Sequence, residues 1–419
     1  MSLFRKYFVL FALSLGYAAS YMLPYIKYVF YDQLLAGINC NNEQAGFLLT
    51  VYTMMALALY IPGGWIADKY KAKNVLVISL ITTGLLNFVF ALSMTYTTAL
   101  IVWVLLAFST AFAFWAGIIK AVRLLGKAAE QGRLYGFFSA GVGAFSAIVS
   151  SLALYAYGMY SANAVGGLKA VIVVQGAVCV LSGLITLFFY EEAEETSAVS
   201  EDDKFQTRDI LTVLKHPMTW AISILVFCGH GIYTSTSYFN PYMTNVIGVT
   251  VVFSGALAII RTHVLRLTCG PLGGILADRL QSPSRVLIYC FSLMTLLLFV
   301  FMALPHGTSA SLIIALQLLL AAVTFAAYSI LYSCIEEVGI PRKFTGTTVA
   351  VASMIGYLPD MIYNPLFGIW LDKYENAGYL YIFGFLAGSG IVAVISAMLI
   401  RNYGKSKVSG FETVGASAA

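Results

Sequence analysis

Long apolar stretches alternate with short polar breaks along the whole chain. Twelve such stretches occupy residues 7–30, 44–67, 75–95, 98–122, 134–158, 166–190, 218–247, 251–277, 285–305, 308–335, 344–371 and 378–400. Each is long enough to cross a hydrocarbon core ~30 Å thick. None shows the alternating pattern of ~10 residues that marks an outer-membrane barrel strand, so helices are the expected elements. The pattern therefore predicts an all-α membrane protein with spans one to twelve in chain order. The first apolar run, "FVLFALSLGYAASYMLPYIKYVF", is too long for a signal-peptide core and lacks a clear small-residue cleavage site, so it reads as span one.

Composition strengthens this reading. Of the 419 residues, 60% are hydrophobic and only 10% are charged, whereas soluble domains carry roughly 25% charged residues. Mean hydropathy is +0.85. The six cysteines (Cys40, Cys179, Cys228, Cys269, Cys290 and Cys334) have no CxxC or metal-type spacing, so neither a disulfide framework nor a zinc site is expected. The net charge of +5 is spread over short loops rather than gathered in a patch, and no nucleic-acid partner is implied.

The basic residues set the orientation, because lysine and arginine are retained on the cytoplasmic side. With both termini inside, 18 of the 24 basic residues fall in cytoplasmic segments, and only Lys169 and Lys373 lie in the opposite loops. A multi-pass protein of a bacterial inner membrane is expected. The longest polar stretch, "EEAEETSAVSEDDKFQTRDILTVLKHP", splits the spans six and six. The expected domains are a six-helix bundle over 1–190, a cytoplasmic linker over 191–217, a second bundle over 218–401 and a disordered cytoplasmic tail over 402–419. A monomer is expected.

One sentence of the sequence is written twice. "GGWIADKY" at 63–70 returns as "GGILADRL" at 273–280, each closing the second span of its half. At the same offset, Gly136 falls on Gly346 and Gly158 on Gly368; the first and seventh spans match too, with "PYIKYVF" (24–30) against "PYMTNVI" (241–247). This is the pattern of parallel six-helix repeats.

The chain resembles the major facilitator superfamily over essentially its whole length. The residues that carry the resemblance are Gly63, Gly64, Asp68 and Lys69, with Lys71 and Lys73 in the basic tail of the motif. The second copy is Gly273, Gly274, Asp278 and Arg279. It degenerates after Arg279, where "LQSPSR" replaces the basic run, and the first copy lacks the glycine usual before its closing basic residues. The resemblance implies two pseudo-symmetric bundles and transport by alternating access. It also implies that Asp68 sits beside the positive N-terminal end of a helix in the other half, with Arg123 near this aspartate. The alternative for Asp68 and Asp278 is a solvated loop charge.

Ionisable groups in mid-membrane are costly and normally face a cavity or a partner. Arg261 lies twelve residues before Gly273, about 18 Å from that end of span eight. In some anion-carrying members of the superfamily, an arginine at a similar depth in this span binds substrate. His263 and Arg266 follow it and read as structural. Asp360 is the only carboxylate deep in the predicted membrane, and Tyr357, Asp360 and Asn364 share one helical face. Two readings of Asp360 stay open: carrier of a coupling proton, or permanent counter-ion to Arg261.

Lys27 sits among Tyr17, Tyr21, Tyr25 and Tyr28, which offer hydrogen-bonding tips to a wet cavity or simply pack. In span seven, Tyr233 and Asn240 lie close to the face that carries His230, a second proton-coupling candidate. Lys120 is either part of the Arg123 cluster or a cavity residue.

Lys27, Lys120, Arg261 and Arg266 outnumber the one carboxylate, and such a cavity attracts anions. The expected substrate is therefore a small organic anion, moved with protons or by exchange. Uptake of a neutral sugar or nucleoside ranks second. Drug efflux ranks third, because span five, "GFFSAGVGAFSAIVSSLAL", lacks the glycine-proline signature of proton-drug antiporters. A non-transporting sensor would need a soluble signalling domain. No nucleophile–base or metal constellation points to an enzyme or a cofactor, and no P-loop points to ATP.

Overall fold

Span two begins where the sequence supplies a capping box. Asn41 Oδ1 accepts from the Gln44 amide at 2.8 Å, and Gln44 Oε1 accepts from the Asn41 amide at 3.1 Å. The helix then runs over Asn42–Lys69. Polar loop residues open other spans in the same way. Thr95 caps span four, Asn163 caps span six (Ala164–Phe189), and Thr250 caps span eight. Ser282 caps span nine, which has Pro283 in its first turn.

The computed structural model describes residues 3–112, 114–126, 130–160, 163–191, 213–305, 307–340 and 342–416, and contains no strand among them. Eight helical stretches are long and apolar enough to cross a membrane; the last, Thr347–Ser406, contains spans eleven and twelve together. Spans one, two and seven are not among these stretches, and the helices of spans one and seven are interrupted. Span one is helical over Leu3–Ser20 and resumes as a 3-10 turn at Ile26–Tyr28. Span seven comprises Pro217–Ser235, a 3-10 turn and Phe239–Asn245.

Spans four and eight each carry one π turn, at Phe108–Phe112 and Ile260–Val264. Span eleven is split at Tyr357 into Arg342–Gly356 and Leu358–Tyr374. Two elements differ from expectation. A short helix, Tyr31–Ile38, follows span one, and the last helix runs unbroken over Gly378–Ala416, where a disordered tail is expected from residue 402.

In lipid there is little hydrophobic gain from helix–helix contact, so close approach through small residues matters more. The duplicated motif supplies that approach. A Cβ on Gly63 would overlap the carbonyl oxygen of Phe112 in span four, and one on Gly273 would overlap that of Ala326 in span ten. The first glycine of each copy therefore does the same packing work in its own half.

Contacts divide the chain into two units that do not follow the six-and-six split of the sequence. The first comprises residues 1–196, 237–267 and 364–376, and the second comprises 197–236, 268–363 and 377–419. A core in the first unit joins Leu10 and Leu13 of span one to Leu76 and Leu80 of span three, and to Phe114 and Ile118 of span four.

Candidate functional site

The interruptions of spans one, eight and eleven coincide with candidate residues: Lys27 and Tyr28, Arg261, and Tyr357. Pro24 carries no amide hydrogen and stops the first helix from continuing. The chain turns there, and the next helix begins only at Tyr31, so the carbonyls of Tyr28 and Val29 lie in the connection and are open to side chains. Asn240 Nδ2 donates to both, at 3.1 and 3.2 Å. Arg261, in the π turn of span eight, donates through Nη2 to Asn240 Oδ1 at 2.7 Å and to the Tyr28 carbonyl at 3.3 Å. It is 1% exposed, and its Nε has no hydrogen-bond partner among the described residues. π turns gather at functional sites because the extra residue re-aims side chains. Arg261 is therefore buried against neutral oxygens, whereas the sequence places it in an open, electropositive cavity.

Lys27 is also buried. Its Nζ donates to Asn364 Oδ1 and lies 4.7 Å from the centre of the Tyr238 ring. Tyr238 donates its hydroxyl to the Asn364 carbonyl at 2.8 Å. Tyr21 bonds the Thr110 carbonyl at the π turn of span four, packed beside Tyr17 and Tyr25. Lys27, Tyr28, Asn240, Arg261 and Asn364 thus gather in the first unit.

The second unit holds a titratable pair. His230 Nε2 lies 3.1 Å from Asp360 Oδ2, and both residues are buried. His230 Nδ1 lies 3.2 Å from the hydroxyl of Tyr328, and the Tyr357 ring meets the imidazole edge-on at 4.6 Å. Tyr233 packs on Tyr328 and beside His230. Pro359 allows the helix to restart just after Tyr357, so Asp360 falls in its first turn, where the helix end favours an acid. The polar face of span eleven is therefore shared: Asp360 meets His230 in one unit and Asn364 meets Lys27 in the other. The counter-ion expected for Asp360 from the sequence is Arg261; the ion pair in the structure is with His230. Tyr328 carries no signal of its own in the sequence, being one of 27 tyrosines.

His263 Nε2 lies 3.1 Å from Ser150 Oγ of span five, and Arg266 is exposed. Lys120 Nζ donates to the carbonyls of Ala67 and Tyr70, at 3.2 and 3.4 Å, at the C-terminal end of span two. A cation there meets the negative end of the helix. Lys120→Ala is expected to cost about 1 kcal/mol. In detergent this should appear as a fall of roughly 2 °C in melting temperature.

Lys69 lies over the Trp65 ring, Arg123, Asp278 and Arg279 are exposed, and nothing packs within 4 Å of a Cβ placed on Gly274. The side chain of Asp68 and the surroundings of Gly64 lie outside the described residues.

A feature absent from the sequence reading joins spans two and eleven. The Asp372 carboxylate accepts from the Asn42 amide at 3.0 Å, from Asn42 Nδ2 at 2.7 Å and from the Glu43 amide at 2.8 Å. It thereby satisfies orphan donors at the start of span two. Gly46 lies against the backbone of Asn364, and a Cβ on Gly368 would come within 2.5 Å of the Asn42 carbonyl oxygen.

The sequence profile of the Major Facilitator Superfamily matches residues 8–363. The chain is 30% identical over 418 residues to the inner membrane protein YqcE of Escherichia coli K12, covering 95% of each. It is also 30% identical to the inner membrane protein YihN of the same organism, over 96% of this chain and 97% of that one. Among solved structures, a bacterial homologue of the human lysosomal transporter Spinster superposes with a TM-score of 0.76 at 15% identity, covering 98% and 99% of the two chains. The nucleoside transporter NupG (0.71, 14% identity) and a D-xylose-proton symporter (0.72, 15% identity) are similar over 96% of this chain and over 99% and 98% of theirs. Profile, relatives and fold agree with the duplicated motif and the run of apolar spans, and the chain belongs to the Major Facilitator Superfamily as a multi-pass membrane transporter rather than an enzyme.

Proposed function

We propose that the protein is a proton-coupled secondary transporter of a small organic anion, working by alternating access between the two halves of the sequence. The observation that carries this reading is Arg261. A guanidinium buried in the membrane is costly unless it is paired, and here its bonds go to neutral oxygens while Nε is unused. An arriving oxyanion would supply the missing charge and accept from the fork of donors. Exposure of Arg261 then belongs to the opposite state of the cycle, when span one parts from spans seven and eight.

His230 and Asp360 are the proposed proton carriers, because they form a buried pair whose net charge rises by one on taking up a proton, a change that the negative charge of the substrate offsets. Symport of one proton with a monoanion would be electroneutral. Neutral sugar or nucleoside uptake is the second reading, supported by the tyrosines and amides around Lys27; drug efflux has no supporting geometry.

Uptake into proteoliposomes tests the proposal. Arg261→Ala is expected to raise the half-saturating anion concentration by about 10- to 100-fold, the range for a lost hydrogen bond to a charged group. Arg261→Lys should recover only part of that loss, since an ammonium lacks the planar fork. Competition by neutral sugars with no effect of any organic anion would end the anion reading.

A further inference from the structure

Asn240 makes three bonds with its side-chain amide, and their polarity is fixed by the partners. Its oxygen faces a donor, Arg261 Nη2, and its nitrogen faces two acceptors, the carbonyls of Tyr28 and Val29. The backbone of Asn240 is held separately, its carbonyl accepting from Ser254 Oγ at 3.1 Å. The amide can therefore swing away without unravelling the helix. When it does, Arg261 and the carbonyls of Tyr28 and Val29, in the connection between two helices, are left side by side.

We infer that Asn240 is a stand-in for the substrate, exchanged for it during the cycle, and that the substrate is a carboxylate with a neighbouring hydroxyl. This rests on the anion reading above and extends it. A ligand that replaces the amide must match its two ends. One end must accept from Arg261, and a carboxylate does so with two oxygens, reaching both Nη2 and the unused Nε. The other end must donate to the carbonyl of Val29, which otherwise loses the Asn240 amide in a dry site, whereas the Tyr28 carbonyl keeps Arg261 Nη2 at 3.3 Å. A hydroxyl on the carbon next to the carboxylate meets both demands. A plain carboxylate satisfies the arginine and strands the Val29 carbonyl; a neutral polyol does the reverse. A site built around hydrogen bonds rejects the analogue that lacks the group.

The test uses the full chain in proteoliposomes, with three matched pairs of probes competing in transport: glycolate and acetate, lactate and propionate, gluconate and hexanoate, with D-glucose as the uncharged polyol. Each pair shares charge and carbon number and differs only in hydroxyls. At least one hydroxy acid is expected to compete about tenfold more effectively than its partner. Asn240→Ala removes the internal competitor and should tighten that hydroxy acid by several-fold. Asn240→Asp places a fixed carboxylate on Arg261 and should abolish competition. Should Asn240→Ala fail to accumulate as folded protein, Asn240→Ser provides the same comparison with a shorter polar side chain.

If no hydroxy acid exceeds its partner while the acids still compete, the hydroxyl requirement is overturned and the anion reading stands. If glucose competes and no acid does, the anion reading itself fails. Weaker binding of the hydroxy acid by both Asn240→Ala and Asn240→Ser would make Asn240 a direct substrate ligand and overturn its role as a stand-in.

Discussion

Asp360→Asn is expected to abolish uphill transport while leaving substrate exchange nearly intact. Asparagine keeps the shape of the side chain and still offers an oxygen to His230 Nε2, now 3.1 Å from the carboxylate, but it carries no proton in the membrane. On the proposed proton coupling, a gradient of one pH unit should drive roughly tenfold accumulation per coupled proton in the parent protein, since one unit equals about 1.4 kcal/mol. The variant should show no accumulation under the same gradient, and its exchange rate should be insensitive to pH. Counterflow, in which labelled substrate enters against unlabelled substrate inside, needs no net proton movement and serves as the control for folding. Tyr328→Phe removes the hydroxyl that meets His230 Nδ1 and should shift the pH profile without ending accumulation. Proton-driven accumulation that survives in Asp360→Asn would reduce the His230–Asp360 contact to a structural ion pair.

The architecture was largely written in hydropathy. Span five is expected at 134–158 and found at Gln131–Gly158, and span nine is expected at 285–305 and found at Pro283–Ala303. Each depends on a sum over some twenty side chains, which averages away local detail. That averaging hid the breaks. Pro24, Pro241 and Pro359 each announce a missing amide donor, yet an apolar window passes over them. The π turn holding Arg261 has no proline and no glycine within it, so nothing in its sequence marks it.

Site residues were legible when they bore charge. Lys27, Arg261 and Asp360 stood out against lipid. Asn364, Asn240 and His230 were marked beside them, but which meets which was not, because the contacts span long separations. Lys27 and Asn364 are 337 positions apart, and His230 and Tyr328 are 98 apart. Asp372 was obscured in another way: beside Lys373 it looks like an ordinary loop charge, and only the fold shows that it faces the start of span two.

That last contact leads to the other large effect. Gly368→Leu is expected to leave a folded protein that can no longer seal the ends of spans two and eleven against each other. On the charge-derived orientation this is the outer face. A Cβ at position 368 would lie 2.5 Å from the Asn42 carbonyl oxygen and 2.6 Å from Glu43 Cα, backbone atoms that cannot rotate away. Overpacking of this kind costs about 1–3 kcal/mol or more, and parting the two helices relieves it. Parting them also strips Asp372 of its three donors, so the crossing is lost as a unit. Asp372→Ala alone removes the cap without the clash. It should weaken the seal by about 1 kcal/mol, roughly a fivefold change in population. In a cysteine-free background, a cysteine at position 28, which is buried in the parent, reports the state. Membrane-impermeant maleimide added from outside should label it fast in Gly368→Leu, modestly in Asp372→Ala and slowly in the parent, with transport by Gly368→Leu falling at least tenfold. Gly388→Leu is the control, since nothing lies within 4 Å of its Cβ position. Equal labelling in Gly368→Leu and Gly388→Leu would show that the crossing of spans two and eleven does not gate access to the site.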